Sequence, residues 1–241
     1  MITCNEHQYA DLLERSADLY AETKYKMILA YLRGHSKLDI LNAGCGSGEL
    51  CLLLAQQGHR VLGIDPVPEY IELARHRAER TPNGECSYLV SSIEDFEADH
   101  PFDCVIATDV LEHIEDDRAA FERLASNVRP GGSIIITVPA GQWLFGYHDE
   151  KLGHFRRYSR PRLRRLVADL CDVLRIRYFG FSLIPVCFLY SKLLRTDYPV
   201  AESGDSAKSP IRASVLRTIL GIDRLVPMPL GTSLLMLGVR R

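Results

Sequence analysis

The sequence predicts a doubly wound α/β fold, and three observations predict it. In the first, Asp39 to Leu50, apolar Ile40 and Leu41 lead into small residues with glycine at 44, 46 and 48. Helical spacing of Leu50, Leu53 and Leu54 follows. A strand that turns through glycines into a helix is one half of such a fold, because only glycine lets backbone turn tightly or lie against a ligand without a Cβ in the way. The second observation is a further apolar strand, Val61 to Asp65, about twenty residues on and ending in a carboxylate. An acid there accepts hydrogen bonds from ribose hydroxyls. The third is that strand-like and helix-like runs keep alternating to about residue 180.

The spacing of the glycines narrows the ligand. A dinucleotide site reads G-x-G-x-x-G and sets a pyrophosphate on the helix N-terminus. This chain reads G-x-G-x-G with Glu49 in the first helical turn. A carboxylate there suits the helix dipole and repels a pyrophosphate. A nucleoside without phosphates fits better. With its glycine turn and Asp65, the chain resembles the class I S-adenosylmethionine (SAM) methyltransferases, whose first motif is similar to Leu41-Asn42-Ala43-Gly44-Cys45-Gly46-Ser47-Gly48. The resemblance implies that Gly44, Cys45, Gly46 and Gly48 hug the methionine part and Asp65 the ribose. Ser92 and Ile93 would hold the adenine, and Thr108 would border the sulfonium at the end of the fourth strand. The product would be S-adenosylhomocysteine. It also implies a seven-stranded Rossmann-like sheet with antiparallel sixth and seventh strands, a helical N-terminal cover and a helical insertion before the last strand.

Composition sets bounds. The 241 residues suit one domain with one sizeable core. The formal charge of -2 gives no global attraction to nucleic acid, and no recognition domain or acceptor-holding N/D-P-P-Y/F motif follows the fourth strand. The seven cysteines form no C-x-x-C pair, so reduced thiols in a cytoplasm are expected. The N-terminus does not read as a signal peptide, and no uncharged apolar run reaches the ~18 residues of a membrane span.

In order, residues 5–34 read as two helices with a break near 21–23, and Gly34 as the stop. By the resemblance this segment covers the cofactor, with Tyr9, Tyr20 and Tyr25 as candidates for closing it. Residues 1–36 are this cover, 37–180 the core, 181–230 the insertion and 231–241 the last strand. Core strands are expected at 38–43, 60–65, 86–91, 101–107, 133–139 and 173–180, with the last at 232–239. Helices are expected at 47–57, 68–80, 116–128 and 161–170, with turns at 81–84 and 129–132. Four β-branched residues in 133–139 suit a strand buried on both faces. The insertion opens with the apolar run 181–194, continues through a polar linker at 202–209 and ends in a helix at 211–223. The run has three readings: packing on the sheet edge, shaping a hydrophobic acceptor pocket or touching a membrane surface, or forming a homodimer interface.

Transfer to an oxygen needs a base or a metal to take the acceptor's proton. His113, just past the fourth strand, is one candidate. Asp109, Glu112 and His113 form D-x-x-E-H, whose spacings place side chains on one face of a helical turn and could hold Mg²⁺. The pattern is similar to the E-x-x-E-H of ubiquinone-biosynthesis O-methyltransferases and small-RNA 2′-O-methyltransferases, which would imply metal-assisted deprotonation, with His148 or His154 as a further ligand. Gly153-His154-Phe155-Arg156-Arg157-Tyr158 is similar to G-H-x-R-R-Y stretches of related bacterial enzymes, which places His154 and one arginine, Arg156 first, in the acceptor pocket. Arginines tied to carboxylates that hold the loop are the rival reading. The sequence thus points to methyl transfer from SAM to a small or lipid-like acceptor, oxygen before nitrogen or carbon. A catalytically silent SAM-binding regulator and an NAD-linked oxidoreductase are the alternatives.

Overall fold

A computed structural model describes residues 19–81, 85–197, 218, 220–221, 223 and 226–241. Its centre is one seven-stranded sheet in the order β3-β2-β1-β4-β5-β7-β6. The strands are β1 Asp39–Ala43, β2 Arg60–Asp65, β3 Glu85–Val90, β4 Phe102–Thr108, β5 Val128–Pro139, β6 Cys171–Phe179 and β7 Ser233–Arg240. The first five pair parallel. Only β7 runs against the rest: it pairs antiparallel with both β5 and β6, so β6 returns to the common direction. The last strand is antiparallel, as expected; the sixth, also expected to be antiparallel, runs with the first five.

Period-two alternation decides which helix each strand residue meets. Leu41, Val105, Ile134 and Ile136 face one core, with Phe121 and Leu124 of α4 (Asp117–Ser126) and Leu163 and Val167 of α6 (Arg160–Val167). Ile40, Cys104, Ile106 and Ile135 face the other. There they meet α1 (Leu19–Leu32), α2 (Glu49–Gln56) and α3 (Pro68–Glu79). Both faces are therefore covered, which is why β5 reads as an unbroken apolar run. A short helix α5 (Tyr147–Leu152) follows β5, and a continuous helical run covers 181–194.

The expected break at 21–23 is absent: α1 runs unbroken through it. The stripe Lys24, Met27, Ile28 and Leu32 is buried, and Tyr20 stacks on Phe179 at 4.5 Å. Its hydroxyl donates to Ser233 Oγ at 2.7 Å. Packing overrides the weak helix propensity of the Thr23 region. Tyr20 and Tyr25 both pack on this core, whereas Tyr9 and the first expected helix lie outside the described residues, as do the linker 202–209 and most of 211–223. The turn expected at 129–132 lies within β5 itself. Pairing jumps from Phe102↔Val128 to Cys104↔Ser133, and Gly131 takes φ 75 where the chain bulges out. Among the described residues no helix is long and apolar enough to cross a membrane.

Tyr158 stitches the segment after β5 to the end of β4. It is fully buried, and its hydroxyl donates to Leu111 O at 3.2 Å and bonds Asp117 Oδ2 at 2.8 Å. Tyr158→Phe should lower unfolding free energy by about 1–2 kcal/mol, because a buried carbonyl loses its partner. A shift of the urea midpoint at unchanged slope would show it.

Candidate active site

The strand order reverses direction between β1 and β4. In open α/β sheets the crevice beyond such a reversal is where ligands bind. The glycine turn forms one wall of it. Gly44, Gly46 and Gly48 all take positive φ, at 69, 51 and 81. A Cβ on Gly44 would stand 2.3 Å from Val110, and one on Gly48 would stand 2.8 Å from Ala74 and from the Tyr88 hydroxyl. The buried Asp65 carboxylate locks this geometry: it accepts from Gly46 N–H at 2.9 Å and Val67 N–H at 3.0 Å. Cys45 N–H donates to Ile64 O, so turn and strand tip move as one. A backbone cradle without side chains, beside a fixed carboxylate at the tip of β2, has the chemistry that a nucleoside with an amino-acid tail needs.

Beyond β3, Ile93 is buried and the Ser92 hydroxyl donates to Asp95 Oδ2 at 2.8 Å while accepting from Asp95 N–H. Its oxygen is thus committed to its own loop. Asp95 brings a formal charge to a place where sequence reasoning saw only a neutral serine. Thr108 ends β4 and pairs with Thr137 of β5.

The D-x-x-E-H segment is not one helical turn. Asp109 takes a left-handed φ of 53, and only Leu111–His113 form a short 3₁₀ turn. Asp109 is therefore not on one helical face with Glu112 and His113. It pairs with Lys24 of α1 and accepts from Thr137 Oγ1 at 3.0 Å. The group able to hold a metal among the described residues is Glu112, His113 and His154, with ligand atoms all within 4.8 Å. His154, not Asp109 or His148, completes it. Glu112 is fully buried and both its oxygens lack a hydrogen-bond partner. Burial first, and then the charge of Asp109, hold its carboxyl well above the usual range.

His154 is the best-built base. Its Nδ1 lies 2.9 Å from Asp149 Oδ1, and its ring meets His113 edge-on at 4.5 Å. An ionised carboxylate only accepts, so Nδ1 is the nitrogen that donates in this bond and Nε2 is the one not used in it. Asp149 is fully buried and is held also by Arg157 Nε at 2.7 Å and Gly146 N–H at 3.0 Å. Burial opposes its charge, but the bonds from His154 and Arg157 outweigh burial and pull its pKa down to about 2. Burial also drives His148 down to about 4, which leaves it neutral at pH 7. Arg156, expected in the acceptor pocket, braces the loop: its guanidinium pairs with Asp117 at 3.0 Å and donates to Glu115 O at 2.7 Å. Both arginines are thus tied to carboxylates.

Sequence reasoning missed Lys24 and the role of Asp149 as partner of His154. Lys24 did leave a trace, being a charged residue in the middle of the apolar stripe 20–27–28. The pKa of Asp149 is lower in the folded protein than its ordinary 3.8. Its contribution is therefore fully present above about pH 4 and is lost as pH falls toward 2. The drop to about 2 amounts to roughly 2 kcal/mol. Acid unfolding of Asp149→Asn should be correspondingly flatter than wild type across that window, measured by circular dichroism.

Residues 41–136 match the methyltransferase domain family. The ubiquinone biosynthesis O-methyltransferase of Rickettsia akari (strain Hartford) is 36% identical over 127 residues, 52% of this chain and 50% of that protein. The enzyme of the same name from Methylocella silvestris is 34% identical over 138 residues, 52% of this chain and 54% of that protein. The chain thus spans about half the length of these relatives. Among solved structures, a putative methyltransferase in complex with the Haloferax volcanii Trm112 activator superposes with TM-score 0.65 at 20% identity, over 97% of this chain and 95% of that one. Magnesium protoporphyrin IX methyltransferase from Synechocystis, solved with bound S-adenosylhomocysteine, gives 0.61 at 18% identity over 100% and 90%. These structural likenesses are likenesses of fold. Over residues 41–136 the chain is thus similar to methyltransferase domains, and the fold and the glycine turn agree with that likeness.

Proposed function

We propose that this protein transfers the methyl group of SAM to an oxygen of a small or lipid-like acceptor, with His154 as the base. The observation that carries the reading is the His154–Asp149 pair beside the β1/β4 crevice. When bound, SAM supplies a methyl group already activated on a sulfonium. The chain's task is then to align the acceptor, exclude water and take its proton. Gly44, Cys45, Gly46 and Gly48 are proposed to hold the methionine part, Asp65 the ribose, the Ser92–Ile93 segment the adenine, and Thr108 the edge beside the sulfonium. His154 Nε2 accepts the hydroxyl proton. Asp149 stabilises the resulting imidazolium, and Arg157 keeps Asp149 in place. Exposed Trp143 and Phe155 flank this loop, with Phe188 6.4 Å from Trp143. These exposed apolar rings support an aromatic or lipid-like acceptor, in keeping with the name of the curated relatives.

A second reading is favoured by Glu112. A buried carboxylate with no hydrogen-bond partner, next to two imidazoles, is a donor set for a divalent ion. Asp149 behind His154 is the outer partner that such ligands use. Two nitrogens and one carboxylate suit a transition metal better than Mg²⁺. Bound there, the ion would activate the acceptor hydroxyl in place of free His154.

His154→Ala should reduce methyl transfer about 10²- to 10⁴-fold while S-adenosylhomocysteine affinity stays nearly unchanged. Equal losses of both would count against the base. Under the first reading activity survives excess EDTA; loss that Mn²⁺ or Zn²⁺ restores selects the second. Binding of NADH but not S-adenosylhomocysteine would favour an oxidoreductase instead.

A further inference from the structure

Arginines crowd the segment that follows His154, and one of them is unlike its neighbours. Arg156 and Arg162 both pair with Asp117, and Arg157 pairs with Asp149. Arg160 has no carboxylate partner among the described residues. Its guanidinium lies over the ring of Tyr178, with its carbon 4.4 Å from the ring centroid. Its Nε is buried and has no hydrogen-bond partner. A guanidinium is all donors, and a buried donor left unmet costs free energy. The start of α6 adds to that cost, because the helix dipole is positive there and the first turn holds no acid. Tyr178 is next to the last residue of β6, which runs with the first five strands, so it stands at the same edge of the sheet as the crevice. β5 and β7 lie between β4 and β6, which sets the two strand ends about 14 Å apart. Exposed Phe181 comes just after β6, and exposed Val226 and Leu230 flank Met228, which bridges to Tyr178.

We infer that Arg160 is the receptor for an oxyanion, a carboxylate or phosphate, carried by the methyl acceptor about 14 Å from the oxygen that is methylated. The inference rests on the methyl-transfer reading and deepens it: the acceptor is an amphiphile with an acidic end. A planar guanidinium meets a carboxylate or phosphate through two parallel N–H···O bonds, and the tyrosine ring beneath holds that plane in place. The oxyanion supplies the partner that the fold withholds from Arg160 alone. Arg156, Arg157 and Arg162 do not compete for it, because their own carboxylates occupy them. The exposed apolar side chains beside Tyr178 suit the hydrocarbon part of such a molecule. Arg160 acts at a distance from the reacting oxygen, so its contribution falls on acceptor binding rather than on the chemical step.

The test is calorimetric titration of the full chain, saturated with S-adenosylhomocysteine, with octyl phosphate, 1-octanol and inorganic phosphate. Wild type should bind octyl phosphate about tenfold tighter or more than either of the others, as a charge-assisted contact implies. Arg160→Gln should lose that preference while binding 1-octanol within about twofold of wild type, which also shows that the variant folds. Arg160→Lys should keep part of the preference. Arg165→Gln removes an exposed charge from the same helix and should keep all of it. A second measurement uses the native acceptor. Label from methyl-labelled SAM in extracts of the native cells should be retained on an anion exchanger. Arg160→Gln should raise the amount of extract needed for half-maximal rate about tenfold, with little change in the maximal rate. Equal wild-type affinity for octyl phosphate and 1-octanol would overturn the inference, as would equal loss in Arg165→Gln or a labelled product that passes the exchanger as a neutral molecule. Inorganic phosphate bound as tightly as octyl phosphate would also overturn it, marking a place for a free ion only. If the chain binds no S-adenosylhomocysteine, the methyl-transfer reading falls on that result alone, and the same titrations without it still decide whether Arg160 holds an anion.

Discussion

Two hydrogen bonds to one carboxylate organise the cofactor side of this molecule. Asp65 sits at the tip of β2, buried, and accepts from the backbone of Gly46 and of Val67. The first bond fixes the glycine turn after β1, and the second fixes the entry to α3. Left-handed φ at three glycines becomes affordable because this anchor and the Cys45–Ile64 bond hold the turn closed. With the turn fixed, Val110 can pack where a Cβ would stand, and the ends of β1 and β4 frame the crevice. The residue proposed to meet the ribose thus first builds one wall of the crevice.

The acceptor side depends on a second carboxylate. Asp149 is wholly buried, and an unpaired charge there would be prohibitive. Arg157, His154 and Gly146 share its two oxygens. This network fixes the loop 153–158 and the tautomer of His154 together. Phe155 N–H donates to Glu112 O, so the loop is also sewn to the segment after β4. Opposite treatment of neighbouring carboxyls follows from contacts: Asp149, surrounded by donors, is held ionised, while Glu112, with none, is pushed toward its neutral form. Two acids driven in opposite directions within one loop system are a mark of acid–base chemistry.

Much of this could be read from the chain alone. The strands were legible because apolar, β-branched runs buried on both faces leave a strong local pattern, as in Ile134–Ile136. The glycine turn and Asp65 were legible because the backbone requirement is itself local. Less was legible where chain-distant groups meet. Nothing in the order of residues says that Lys24 reaches Asp109, 85 positions away. The D-x-x-E-H spacing suggested a common helical face, but left-handed Asp109 breaks that face before the 3₁₀ turn begins. Arg156 looked available for an acceptor until Asp117 claimed it. The short helix α5 escaped notice because six residues carry no usable apolar period.

The central claim is that the crevice delivers a methyl group from SAM to an oxygen that His154 deprotonates. The most direct test is transfer from methyl-labelled SAM into extracts of the native cells, partitioned between water and organic solvent, with wild type and His154→Ala compared. The account predicts base-labile or ether-linked label in the organic phase for wild type and almost none for the variant. No label in either phase despite bound S-adenosylhomocysteine, or equal labelling by both proteins, would contradict it.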